Sequence, residues 1–132
     1  MRQIDYGQLP EIIYVDGVLF SLFSMPLLPW LEAQEPECRF DLRTPQCARG
    51  YVGKWAVDED KLLLIGLHAW REGKYTGVRA LFGAPEIPAT WFTGPLMIEP
   101  TAGAVREGEY PKARALEVRS GLLSGHSPSN GQ

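Results

Sequence analysis

Histidine is the side chain whose ordinary pKa lies nearest neutrality, which suits it to proton transfer. This chain has two, His68 and His126. His68 ends the apolar run Lys61-Leu62-Leu63-Leu64-Ile65-Gly66-Leu67-His68. That run follows Arg49-Gly50-Tyr51-Val52-Gly53-Lys54-Trp55-Ala56-Val57 after the acidic triplet Asp58-Glu59-Asp60. Folding one run back on the other sets Tyr51 opposite His68 and brings Arg49 to the same side. Such a cluster could bind an anion, orient a substrate carboxylate or move a proton. The plainer account is a half-buried histidine hydrogen-bonded to a neighbour. Arg49 likewise could clamp a ligand, stack on a ring, or form a salt bridge within the fold.

Trp55, Trp70 and Trp91, with Tyr51 and Tyr75, supply several aromatic surfaces. In a small domain such residues are usually core. The sharper reading is a concave pocket for a flat or cationic molecule, lined in part by Met97, with Glu99 or Glu86 offsetting the cation. The candidate ligand set is therefore Arg49, Tyr51, Trp55, His68, Trp70 and Trp91. Cys47 and His68 could in principle form a thiol nucleophile and its base, but no orienting third residue is identifiable. Cys38 and Cys47 match no zinc spacing and read as structural or tolerated thiols. Phosphate-loop, dinucleotide, nucleophile-elbow and zinc-protease signatures are missing, and the glycines precede strands where a phosphate cradle needs a helix. No metal or cofactor is expected.

The elements that must position these residues read mostly as strands. Runs 49–57 and 61–68 form a hairpin through a loop of residues 58–61, pairing Val57 with Leu62 and Trp55 with Leu64. Continued without interruption, that register sets Gly53 opposite Gly66, leaving room for a bend or a ligand. Val52, Ala56, Leu63, Ile65 and Leu67 then form the core face. Upstream, Glu11–Val15 and Val18–Phe23 form a hairpin around Asp16-Gly17, a two-residue turn signal. Val15 faces Val18 and Ile13 faces Phe20. Both faces of this hairpin are apolar, so one is covered by the fold and the other is covered or forms an interface. Residues 27–33 suit a turn or two of helix with Pro29 near its start. Residues 35–43 read as an exposed loop or edge, 69–77 and 83–88 as loops, and 78–82 as a short strand or a helical turn. Residues 90–99 read as one strand interrupted at Gly94-Pro95. A small hairpin over 115–123 turns at Ser120-Gly121.

With 132 residues, 45% hydrophobic and 22% charged, the chain suits one domain with a real core. Frequent proline (11) and glycine (14) imply many turns and few long helices. A net charge of −3 gives no electrostatic case for nucleic acid or a polybasic membrane anchor. No signal peptide and no run long enough to span a bilayer is visible, so a cytoplasmic location is expected, with both thiols reduced. The expected organisation is one β-rich domain over residues 1–125 and a flexible tail over 126–132, Ser/Asn/Gly-rich in composition. The expected fold is mostly β: an antiparallel sandwich or partly open barrel with one short helix.

Several segments together resemble a family of small uncharacterised bacterial proteins. The shared features are an early strand and turn (Val15–Phe23), a Pro-Leu-x-Pro-like segment (Pro26–Leu31), the Arg49–Trp55 motif with the Lys61–Ile65 strand, and Trp91-Phe92-Thr93-Gly94. The resemblance covers roughly residues 11–124, and its two specific motifs are Arg-Gly-Tyr-Val-x-x-Trp and Trp-Phe-Thr-Gly. Where that family carries a His-Met-Gly-Tyr stretch and a Tyr-Glu pair, this chain has Glu109-Tyr110-Pro111-Lys112. The resemblance implies no named activity. The Ser/Gly/Asn tail is also similar to the ends of proteins from mobile integron cassettes, which bears on origin alone. The leading expectation is a non-catalytic module that binds a small molecule or protein and self-associates. One alternative is a small hydrolase or isomerase using His68 with Arg49 and Tyr51. Another is a structural or toxin-neutralising interaction protein with a flat contact surface.

Overall fold

The computed structural model describes residues 10–34, 38–42, 50–101 and 114–123. Arg49, Cys47 and residues 124–132 lie outside them. In chain order the elements are β1 (Glu11–Val15), β2 (Val18–Leu22), α1 (Leu28–Glu32), β3 (Tyr51–Asp58) and β4 (Lys61–Arg71). These are followed by β5 (Lys74–Tyr75), α2 (Val78–Phe82), β6 (Ile87–Pro88), β7 (Gly94–Pro100), β8 (Arg114–Arg119) and β9 (Leu122–Leu123). The fold is mostly β as expected, and it is a barrel that closes fully, where a sandwich or a partly open barrel was expected. Seven strands close in the order β3-β1-β2-β7-β8-β9-β4 and back to β3. Closure removes the exposed edges of an open sheet. Within this ring β1 and β3 run parallel, and the other neighbours run antiparallel.

Local turn chemistry sets the hairpins. Asp16 (φ 54°) and Gly17 (φ 80°) make the two-residue turn that pairs Val15 with Val18 and Ile13 with Phe20. Both central φ angles are positive, as a type I′ turn requires. Ser120 and Gly121 repeat the device between β8 and β9. In the central hairpin the turn is tighter than a loop of residues 58–61. Glu59 and Asp60 take the positive-φ positions, and Asp58 pairs with Lys61. Helix α1 has a proline in its first turn, and α2 closes on left-handed Gly83. Residues 69–77 are not a loop. Ala69–Arg71 extend β4, and Glu72-Gly73 turns the chain into β5. Residues 90–93 do not join the strand either, because β7 begins only at Gly94.

The register of the central hairpin changes part-way. Trp55 faces Leu64, but Lys54 faces Gly66, Gly53 faces Leu67, Val52 faces His68 and Tyr51 faces Ala69. Ile65 is therefore the extra residue of a β-bulge. The bulge overturns two expectations. Gly53 and Gly66 do not face each other, and Tyr51 does not face His68. The expected core face is also reversed for Val52, Ala56, Leu63 and Ile65, whereas Leu67 is in the core as expected. Tyr51, Trp55, Leu62 and Leu64 point inward and are buried, as is Leu67 beyond the bulge, while Val52, Ala56, Leu63 and Ile65 lie half-buried on the outer wall. Small barrels are filled by side chains, and here the large rings fill the interior. Ile13, Val15, Phe20, Leu22, Leu96, Ile98 and Val118 complete it.

The barrel end where β3 begins and β4 finishes is covered by α1 and by residues 38–42. Phe40 packs edge-on against Tyr51, with ring centroids 5.5 Å apart. Asp41 ties this segment to the β4–β5 hairpin. Its backbone N–H donates to the Trp70 carbonyl, and its carboxylate accepts the Glu72 and Gly73 amides. Among the described residues, no helix is long and apolar enough to cross a membrane.

Candidate ligand-binding groove on the barrel wall

The candidate ligand residues separate onto different surfaces. Trp55 and Tyr51 lie inside the barrel. The Trp55 indole N–H donates to Glu11 Oε1 at 2.6 Å, and Glu11 is itself buried. A Cβ at Gly53 would stand 2.6 Å from that oxygen and 2.8 Å from the Trp55 nitrogen. The bare position at 53 is thus filled from within by a buried carboxyl–indole pair. Trp91 belongs to a third place. Its indole N–H donates to the Pro26 carbonyl at 2.7 Å, and its ring is parallel to Phe82 and tilted against Trp30.

His68 and Trp70 do come together, because residues two apart on a strand share a face. Both lie on the outer wall, and Tyr75 joins them across the β4–β5 pairing. His68 meets Trp70 and Tyr75 with ring centroids 4.7 and 5.5 Å apart, and Trp70 meets Tyr75 at 5.3 Å. Interplanar angles of 89°, 61° and 78° place ring edges against ring faces, a favourable arrangement of their quadrupoles. The Tyr75 hydroxyl donates to the Leu67 carbonyl at 3.0 Å, which fixes the phenol against the strand.

Beside this trio lies a groove of about 280 Å³ lined by Ile12, Val52, Gly53, Lys54, Gly66, Leu67, His68 and Tyr75. Its origin is the bulge. Gly66 pairs with Lys54 and carries no side chain on the outer wall, so the Lys54 stem lies across it. A Cβ at 66 would be 3.1 Å from the Lys54 Cβ and 3.5 Å from its Cδ. The two glycines act on opposite sides of the sheet, Gly53 inward and Gly66 outward. Lys54, Ile12 and Val52 were not among the sequence candidates. The signal that could have raised them was the interruption of an apolar strand by glycine, which marks a bulge as readily as a gap.

A second groove of about 400 Å³ lies at the covered barrel end, between Leu28, Leu31, Cys38, Arg39, Phe40, Leu42 and Tyr51. Cys38 is a free thiol there. Burial raises its pKa, and the positive charge of Arg71 partly opposes that shift. Among the described residues, no three His, Cys, Asp or Glu side chains gather to hold a metal. Comparison with protein-family models, curated proteins and solved structures finds no match.

Proposed function

We propose that the protein is a non-catalytic binding module that takes a small molecule in the outer-wall groove over the Ile65 bulge. The observation that carries this reading is the convergence, on one patch of barrel wall, of a cation, an imidazole, a phenol and apolar flanks around a position without a side chain. A few polar groups against an apolar surface are the usual composition of a ligand site. The enzyme alternative needs His68 to act with Arg49 and Tyr51; Arg49 lies outside the described residues, and the sheet lies between His68 and Tyr51. The test is a titration of the isotope-labelled chain with a fragment library. Hits are expected to shift the amides of residues 52–54, 66–68 and 75 together, and Tyr75→Ala to abolish those shifts. Hits that perturb only other surfaces, or none at all, refute the reading.

Self-association is the second part of the proposal. Phe23, Met25 and Met97 are 59%, 43% and 41% exposed, and the Phe23 amide donates to the Met97 carbonyl across β2 and β7. A stable contact between two copies needs about 800 Å² from each. The interface would therefore extend from this patch across half-buried Tyr14 and Leu19 on the outer face of the first hairpin. Sedimentation at high concentration decides. A dimer weakened by Phe23→Ser supports the interface, and a monomer throughout removes it.

A further inference from the structure

We infer that the groove selects a small planar carboxylate, its charge held by Lys54 and its ring lying beside Tyr75 and His68. The inference rests on the groove being the ligand site, and it names what the site takes. Cations are disfavoured by geometry and by charge. An aromatic cage for an ammonium group needs rings standing apart around it, whereas His68, Trp70 and Tyr75 pack on one another at 4.7–5.5 Å. Lys54 would also repel a cation.

The surrounding charges favour an anion. One row of paired residues on the outer wall runs Glu99, Ser21, Ile12, Lys54, Gly66 across five strands. At the usual strand spacing, three steps separate Glu99 from Lys54 by about 14 Å, well beyond ion-pair range. Glu11 lies on the inner side of the sheet and accepts the Trp55 indole N–H. At the β4–β5 tip, Arg71 and Lys74 are cross-strand neighbours. The acids there are Glu72 and Asp41, and the Asp41 carboxylate already accepts two backbone amides. An anion in the groove therefore meets Lys54 first, with His68 as a second N–H donor.

Shape sets the rest. The Lys54 stem is held along the wall over Gly66. Ile12 and Val52 contribute apolar lining, and Tyr75 contributes a ring whose hydroxyl hydrogen is already donated to Leu67. A volume of about 280 Å³ is at the small end for ligand sites and suits one ring with an acid group.

Three monosubstituted benzenes of similar size and different charge test this: benzoate, benzamide and benzylamine, titrated into the full chain and followed by the ring resonances of His68 and Tyr75. Benzoate is expected to bind about fivefold more tightly than benzamide, the scale of one partly exposed charge contact, with the preference falling in high salt. Lys54→Met should remove the preference and leave benzamide binding unchanged. Lys54→Gln provides a second variant should the first fail to fold. Equal binding of benzoate and benzamide, or a preference that survives both substitutions, overturns the charge assignment while the groove stands. Displacement of benzoate by an equal concentration of sulfate overturns the ring assignment. If none of the three molecules shifts the His68 and Tyr75 resonances, the groove reading itself fails.

Discussion

Replacing Gly53 with alanine should destabilise the protein, although the usual expectation is the reverse. Glycine inside a strand costs about 0.5–1 kcal/mol relative to alanine, so an ordinary Gly→Ala change in β3 would stabilise by that amount. Here the new methyl would meet Glu11 Oε1 at 2.6 Å and Trp55 Nε1 at 2.8 Å. A carboxylate on a flexible stem could normally swing away. Glu11 is 1% exposed and its oxygen accepts the Trp55 indole, which is fully buried, so neither group has space to yield. Overpacking of this kind costs about 1–3 kcal/mol, and weakening a buried hydrogen bond to an acidic group adds about 1.5 kcal/mol. Subtracting the propensity gain leaves a net loss of roughly 1.5–4 kcal/mol. Urea denaturation measures it as a lower midpoint at unchanged slope. Gly66→Ala is the matched control. Its methyl would meet only the stem of Lys54, at 3.1 Å on the outer wall, so it should fall within about 0.5 kcal/mol of the parent. Equal effects at the two positions, or a Gly53→Ala protein as stable as the parent, would refute the argument that the glycines serve opposite faces.

Deleting Ile65 removes the extra residue while preserving every observed pair from Lys54–Gly66 to Tyr51–Ala69. The shortened chain should fold with His68 still outside and lose about 1–2 kcal/mol for one half-buried aliphatic side chain. A thermal melt with NOE contacts between His68 and Val52 checks this, and loss of the fold would contradict the bulge. Burial raises the Cys38 pKa, so its thiolate fraction at a given pH lies below that of an ordinary thiol. Alkylation of Cys38 in the native protein, followed by peptide mapping, should be slow near neutrality and accelerate only at more alkaline pH than for an ordinary thiol. By linkage, stability should fall as pH rises from the ordinary thiol range towards the folded-state value, since the unfolded chain releases its proton first. Arg71→Ala should push the alkylation profile further up in pH. Trp91→Phe keeps a ring beside Phe82 but loses the bond to the Pro26 carbonyl, and should cost about 1 kcal/mol in urea melts.

Hairpins with their own turn chemistry were legible in the sequence. Asp16-Gly17 and Ser120-Gly121 impose positive φ locally, and the observed pairs follow from it. The inward face of β4 was not legible, because Leu62 to Leu67 is apolar on both sides of the strand and period-two alternation carries no signal there. The bulge was hidden for the same reason. The buried partnership of Glu11 with Trp55 spans 44 residues of chain, and nothing local distinguishes Glu11 from an exposed acid opening a strand. His68 and Trp70 are two apart and share a face on any strand, but β5, which adds Tyr75 to them, has the sequence character of a loop because its Glu72-Gly73 turn is a weaker signal than Asn-Gly or Asp-Gly.

The seam between β9 and β4 bears on how the chain is made. The ring is sealed there by the Lys61–Leu122 pair and by backbone bonds from Leu62 to Gly121 and from Leu123 to Asp60, at 2.8 and 2.7 Å. During synthesis β5 and β6 take up the free edge of β4 at Trp70–Arg71 and Leu63–Leu64, but its Lys61–Leu62 end stays open until residues 121–123 emerge, and a bare edge is a template for a neighbouring chain. Polypeptides ending at Arg119 should therefore form assemblies larger than those of the full chain, which light scattering of the two species would reveal. Vulnerability during biogenesis would then be concentrated in the interval between completion of β4 and arrival of Gly121.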